Sequence, residues 1–245
     1  MSKDEVVNNW LNNGNSKNHT SDDNYKIFNE FIFSNDKKIL GKLLHRFQHF
    51  LNVKDLPGDI VEVGVFKGSG VATFMKFIEI FCNTSNKKVI GFDIFDFEEG
   101  RNILKKDTDT DQKSMGHVYS RVSTQDLSLT SVTGNLENTS ISSDKFDLIK
   151  GDVEETLPKF ISENPGFRIA MLYIDVDIER PTYNALKYLW DRILPGGVII
   201  FDEFEFHKYS ESNGVEKFFK ERGIVPELLS TNWPCPSAFI YKKGW

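Results

Sequence analysis

Residues 173–205 read YIDVDIERPTYNALKYLWDRILPGGVIIFDEFE. The apolar run that enters this stretch, 170–174, stops abruptly at Asp175 and Asp177. A helical segment follows, with Pro181 suited to its first turn and Tyr183, Leu186, Trp190 and Ile193 as the stripe it would bury. After the Pro195-Gly196-Gly197 turn a second apolar run, 198–201, stops at Asp202 and Glu203. Two short β-type runs joined by a helix describe a parallel βαβ unit. Ligands of open parallel sheets bind beyond the carboxyl ends of the strands. Four carboxylates would crowd that rim and repel one another unless a cation sits among them, so a metal or a cationic cofactor is expected.

Working upstream, GDIVEVGVFKGSG at 58–70 reads as a buried strand over 60–65, a loop with Gly64, Gly68 and Gly70, and an apolar helix over 71–81. Such a loop brings backbone close to a nucleotide-like ligand. Its Gly-x3-Gly-x-Gly spacing is not the dinucleotide pattern. Glu62, inside the strand, would repel a pyrophosphate but suit a sulfonium or ammonium. A second strand, 88–92, ends at Asp93, placed to accept hydrogen bonds from ribose hydroxyls. A third, 146–150, ends at Gly151-Asp152; Asp152 would either meet a base or ribose or cap the helix that starts at 154. Downstream, 226–230 and 237–241 read as two last strands around the WPCP turn at 233–236. The sum is an α/β protein: a seven-stranded, mostly parallel sheet with helices on both faces.

The 245 residues suffice for one large core. Residues 58–245 are read as one domain carrying a polar insertion at about 97–144, either a lid or a solvated loop. Residues 1–57 are an arm and a helix for lid, substrate or oligomer contacts. The arm's aromatics, Trp10, Tyr25, Phe28, Phe31 and Phe33, either punctuate a loose segment or fold over a ligand or second subunit. The helix starts at Asp36, with Ile39, Leu40, Leu43, Leu44, Phe47, Phe50 and Leu51 as its apolar stripe and Lys42, His45, Arg46 and His49 on other faces, His45 and His49 in solvent. A net charge of −6 without a basic run argues against nucleic acid and anionic membrane as partners. Two distant cysteines and a start without an apolar leader lead to the expectation of a cytoplasmic protein with no membrane insertion.

Taken together, GDIVEVGVFKGSG, GFD at 91–93, GDVEETLP at 151–158, the 173–203 stretch and WPC at 233–235 resemble the macrocin O-methyltransferase family of class I S-adenosylmethionine-dependent methyltransferases. The resemblance implies a Rossmann-like methyltransferase fold and methylation of a sugar hydroxyl on a natural product, with S-adenosylmethionine and Mg2+ as cofactors. It implies that Glu62, Gly64 and Gly68 hold the methionine part, Asp93 the ribose, and that Asp152 lies near the adenine. It makes Asp175, Asp202 and Glu203 metal ligands, with Asp175 also on the cofactor side, and Asp177 the general base. Asp177 would approach Asp175 if strand geometry persisted past the strand end. Glu203 departs from the family's usual second aspartate by one methylene. His207 is an alternative base, or an ordinary loop histidine, and His117 shares that ambiguity. A homo-oligomer is expected. Competing readings are a catechol-type O-methyltransferase, a nucleotide-binding dehydrogenase and a non-catalytic binding module.

Overall fold

The structure, a computed structural model, describes residues 21–82 and 84–244. Seven strands form one sheet: β1 Asp59–Val63, β2 Val89–Asp93, β3 Phe146–Lys150, β4 Ile169–Ile174, β5 Ile193–Phe201, β6 Leu229–Ser230 and β7 Ala238–Tyr241. Their order is β3-β2-β1-β4-β5-β7-β6. The first five are mutually parallel, and β7 runs antiparallel to both β5 and β6. The seven-stranded expectation therefore holds. The last pair is shorter than expected at β6, where Pro226 has no N–H to give a ladder. The Pro195-Gly196-Gly197 turn is absorbed into β5, whose register with β4 shifts between the Ile169 and Met171 pairings.

Strand alternation sorts apolar side chains onto two faces. One carries Val61, Val63, Phe92, Leu172, Ile174, Ile199 and Phe201 under α7 Val153–Glu163, α8 Glu179–Leu189 and α9 Glu211–Arg222. The other carries Ile60, Val89, Met171, Tyr173 and Ile200 under α2 Lys38–Val53 and α3 Ser69–Cys82. Glu62 and Tyr173, register partners on β1 and β4, share the second face.

The arm and the insertion are both more regular than their composition suggests. Within the described residues the arm is a helix, α1 Ser21–Ile32, whose Tyr25 and Phe28 are exposed, as is Phe33 beyond it; Trp10 lies outside the described residues. The insertion folds into α4 Phe97–Ile103, α5 Asp109–Tyr119 and α6 Leu129–Glu137. Its many Asp, Thr and Ser residues include the caps: Asp96, Thr108 and Ser128 each accept the backbone N–H three residues on. α6 buries Val132 and Leu136 against the core, so the segment is neither a bare loop nor purely solvated.

Helix α2 corrects the expected amphipathic assignment. Asp36 does cap its start, accepting from Ile39 N at 3.1 Å. Yet Arg46, His49, Phe50 and Val53 are the buried positions, while Ile39, Leu43, Leu44 and Leu51 are exposed. The helix lies over a stretch of sheet that offers carboxylates and a tyrosine ring. Basic side chains turned inward are paired there, and without them those carboxylates would be buried uncompensated. His49 is accordingly not on a solvated face: its ring centroid lies 4.5 Å from that of Phe239 on β7.

Candidate functional site

At the carboxyl ends of β1, β2, β4 and β5 lies a cavity of about 810 Å³. Its floor is the β1–α3 loop, its roof the helical insertion, and α2 closes one side. Glu62, Gly64, Asp93, Asp152, Asp175, Asp177, Asp202 and Glu203 all line it, so most of the residues singled out from sequence are brought together. Gly68 and His207 do not line it. Gly68, at φ +90°, holds the loop against α6, where a Cβ would come 3.0 Å from Val132 Cγ1. His207 is exposed, as is His117, and His207 lines a separate groove with Phe206 and Lys208.

The loop leaves β1 in a conformation that only glycine accommodates at its first turn. Gly64 has φ +94°, and a Cβ there would lie 1.9 Å from the Asp175 carbonyl oxygen. At Gly70 a Cβ would lie 1.7 Å from Glu62 Oε1, so the start of α3 passes directly against the Glu62 carboxylate. Arg46 Nη2 donates to that same oxygen at 3.2 Å. Glu62 Oε2 is buried with no partner. Burial raises the Glu62 carboxyl to about 7, against the opposing pull of Arg46. A buried carboxylate oxygen without a donor fits a cationic ligand group, so the residues present fit S-adenosylmethionine on this side of the cavity.

Asp93 is held by the loop. Its Oδ2 accepts Val65 N and Phe66 N, both at 2.8 Å, and its Oδ1 accepts Ile94 N at 2.6 Å. These bonds take only part of a carboxylate's lone-pair capacity. Asp152 caps α7 through Glu154 N at 3.1 Å, so the capping alternative holds for it. It is also clamped by Arg180 at 3.0 Å and Lys106 at 3.2 Å. Burial alone would raise its carboxyl, but the Glu154 N–H, Arg180 and Lys106 together bring it below the ordinary value.

The acidic rim is more organised than its sequence suggests. β4 and β5 are adjacent, and Asp202 N donates to Ile174 O at 3.0 Å, which sets Asp175 and Asp202 side by side. Lys42 Nζ lies between them, 2.8 Å from Asp175 Oδ2 and 2.8 Å from Asp202 Oδ2. Tyr173 donates its hydroxyl to Asp202 Oδ1. Arg46 stands 3.8 Å from Asp175 Oδ2, with its guanidinium carbon 4.6 Å from the Tyr173 ring centroid. Burial lowers the Lys42 amine's affinity for its proton, but Asp175 and Asp202 raise it further, so the net shift is upward.

Asp177 reaches the rim by a different route from the one expected. β4 ends at Ile174, and Asp177 adopts a left-handed backbone at φ +65° in a tight turn where Ile178 N donates to Val176 O at 2.7 Å. Strand alternation therefore does not carry it beside Asp175; the turn does. Burial, followed by the charges of Asp175, Glu203 and Asp202, raises its carboxyl well above the usual range. Burial, then Asp202 and Asp175, brings Glu203 to about 7.

A divalent ion fits this rim poorly as it is arranged. Among the described residues, the acidic group with mutually close donor atoms, within 4.8 Å, is Asp202, Glu203 and Cys235, which leaves Asp175 out and includes a thiol. Hard cations such as Mg2+ take oxygen ligands. The oxygens that face one another across Asp175 and Asp202 already converge on Lys42.

The residues missed from sequence are Lys42, Arg46, Tyr173 and Arg180. The signal for the first two was present: basic residues four apart on a helix share one face. Tyr173 looked like part of an apolar run. Arg180 binds Asp107, Asp152 and Glu154, partners scattered along the chain.

A sheet in this order, with a glycine loop and an acidic rim at its carboxyl ends, is that of a class I methyltransferase. Solved structures agree. The calicheamicin methyltransferase CalS11 superposes with a TM-score of 0.69 at 22% identity, covering 98% of this chain and 93% of that one. The O-methyltransferase NovP gives 0.67 at 21%, covering 82% and 79%. Residues 37–239 match the family described as Macrocin-O-methyltransferase (TylF). The chain belongs to that family of methyltransferases. Among curated relatives, the tetracenomycin-C 4'-O-methyltransferase of Streptomyces olivaceus, which acts on a dimethoxy-rhamnosyl compound, is 28% identical over 61% of this chain and 54% of that protein. Mycinamicin III 3''-O-methyltransferase of Micromonospora griseorubida is 26% identical over 71% and 70%. The match thus spans about half the length of the first of these and 70% of the second.

Proposed function

We propose that this protein transfers a methyl group from S-adenosylmethionine to a hydroxyl of a sugar-bearing natural product or polysaccharide precursor. The observation that carries the reading is one shared cavity. It is lined both by Glu62, with a buried oxygen lacking a donor, and by Asp177 among carboxylates. S-adenosylmethionine, when bound, supplies a methyl on a sulfonium: its carbon–sulfur bond breaks as the new carbon–oxygen bond forms, and sulfur keeps the electron pair. Glu62, at the Gly64 loop, faces the cationic end. Asp93 receives the ribose hydroxyls, and Asp152 borders the adenine side. Asp177 accepts the proton that leaves the acceptor hydroxyl, and its raised basicity suits that task. Holding two reactants in register removes about 7–11 kcal/mol of barrier, which requires no covalent intermediate on the protein.

Magnesium dependence would require Asp175, Asp202 and Glu203 to close on one ion and Lys42 to withdraw from between them. His207, exposed in its own groove, has no part in the proposal. A cytoplasmic setting fits two cysteines that are both free. Among the described residues no helix is long and apolar enough to cross a membrane. Self-association belongs to the same proposal, supported by the exposed Leu44 and Leu51 of α2; light scattering reads its mass directly.

The test is methyl transfer from labelled S-adenosylmethionine to a panel of sugar-bearing acceptors and catechols. Label on a sugar hydroxyl supports the proposal. Label on catechols alone would establish the phenol reading instead.

A further inference from the structure

We infer that the Lys42 ammonium is the resident cation of the Asp175–Asp202 carboxylate pair, so that this site is neutralised from within the chain and not by a divalent ion. The inference rests on the methyltransferase reading only for its consequence; its geometry stands alone. Lys42 Nζ lies 2.8 Å from one oxygen of each carboxylate. The second oxygen of Asp202 is taken by the Tyr173 hydroxyl. Both oxygens of Asp202 therefore have protein donors, and an ion shared by the facing oxygens of Asp175 and Asp202 would have to displace Lys42 from between them.

Three further features make Lys42 part of a built site. Lys42 and Arg46 are one helical turn apart on α2 and face the same carboxylates, with Arg46 bonded to Glu62 and 3.8 Å from Asp175. A dication arriving between Asp175 and Asp202 would meet both positive groups. The third carboxylate expected to complete a metal site, Glu203, groups instead with Asp202 and the Cys235 thiol, apart from Asp175. Finally, α2 presents its charged face to the sheet at the cost of exposing Leu44 and Leu51. A helix held that way keeps its lysine in the site.

The chemical consequence concerns the acceptor. An ammonium has three donors, and the two carboxylates use two. The third is free to meet an acceptor hydroxyl oxygen at the cavity side of Lys42, where the residue lines the wall. There it would stabilise the oxygen as Asp177 takes the proton. This places Lys42 as an orienting group of the site, where a bound dication would otherwise act.

The test is binding of Mn2+ alone, followed by electron paramagnetic resonance, to the full chain and to Lys42→Met. The wild-type chain should leave the Mn2+ signal unchanged. Lys42→Met should gain a site about tenfold tighter or more, lost again in Lys42→Met/Asp202→Asn. Methyl transfer by the wild type should persist at full rate in EDTA. Tight Mn2+ binding by the wild-type chain, or loss of its activity in EDTA with recovery on adding Mg2+, would overturn the inference. Those wild-type measurements decide the matter even if Lys42→Met does not fold. Binding of S-adenosylmethionine, measured on the same samples, separates failure here from failure of the methyltransferase proposal.

Discussion

Asp177 is the residue on which the proposed chemistry turns. It sits in a left-handed turn just past β4, half-buried among Asp175, Asp202 and Glu203. Each of those surroundings disfavours its ionised form, so its carboxyl titrates well above the usual range. A base must be deprotonated to act. The limb of kcat/KM that Asp177 controls should therefore rise with pH through that raised value and fall away below it. Asp177→Asn should lose about 10²–10⁴-fold in rate while S-adenosylmethionine binding is kept, and its pH profile should lose that limb. Full activity across pH in the Asn variant would remove Asp177 as the base. The residue was legible in the sequence as one of four carboxylates at strand ends. Its route to the site was not, because a positive φ at an aspartate is set by the turn around it and leaves no periodic trace.

At the scale of elements, α2 carries the clearest lesson. Its apolar periodicity reads as a buried stripe, and the structure turns much of that stripe outward because paired charges win the inner face. His49 is the titratable consequence. Burial, with His45 nearby, lowers it from 6.5 to about 4, so it is neutral in the folded chain. The unfolded chain takes up this proton as pH falls through 6.5, and the folded chain does not until about 4. Stability from this residue is complete above 6.5 and declines between those values by on the order of 3 kcal/mol. His49→Phe keeps an aromatic ring against Phe239 and cannot titrate. Denaturation midpoints measured from pH 7 to 4 should fall less steeply in the variant than in the wild type; equal slopes would mean His49 is not buried as described.

The βαβ units told a different story. β1, β2, β4 and β5 were visible as short apolar runs ending in Asp or Gly, because burial on both faces leaves little else for them to be, whereas the edge strand β3 is partly exposed. The insertion was opaque for the opposite reason. Its helices are short and half-exposed, and their Asp, Thr and Ser caps read as loop composition. The ion pairs that tie it down, Arg180 with Asp107 and Lys67 with Asp126, join residues far apart in sequence. No local pattern encodes them.

For the whole molecule, the strand order β3-β2-β1-β4-β5-β7-β6 brings the ends of β1 and β4 together at the middle of the sheet. The chain thereby gathers residues from 31 to 235 around one cavity. Cofactor side and acceptor side share that space, and Glu62 and Asp175 both meet Arg46 between them. At this scale the cavity is proposed to take S-adenosylmethionine, with Glu62 facing its charge. Isothermal titration of the purified chain with S-adenosylmethionine and, separately, with NAD tests it most directly. Saturable binding of S-adenosylmethionine is expected, weakened about tenfold or more in Glu62→Gln, with no binding of NAD. Binding of NAD in place of S-adenosylmethionine, or S-adenosylmethionine affinity untouched by Glu62→Gln, would contradict it.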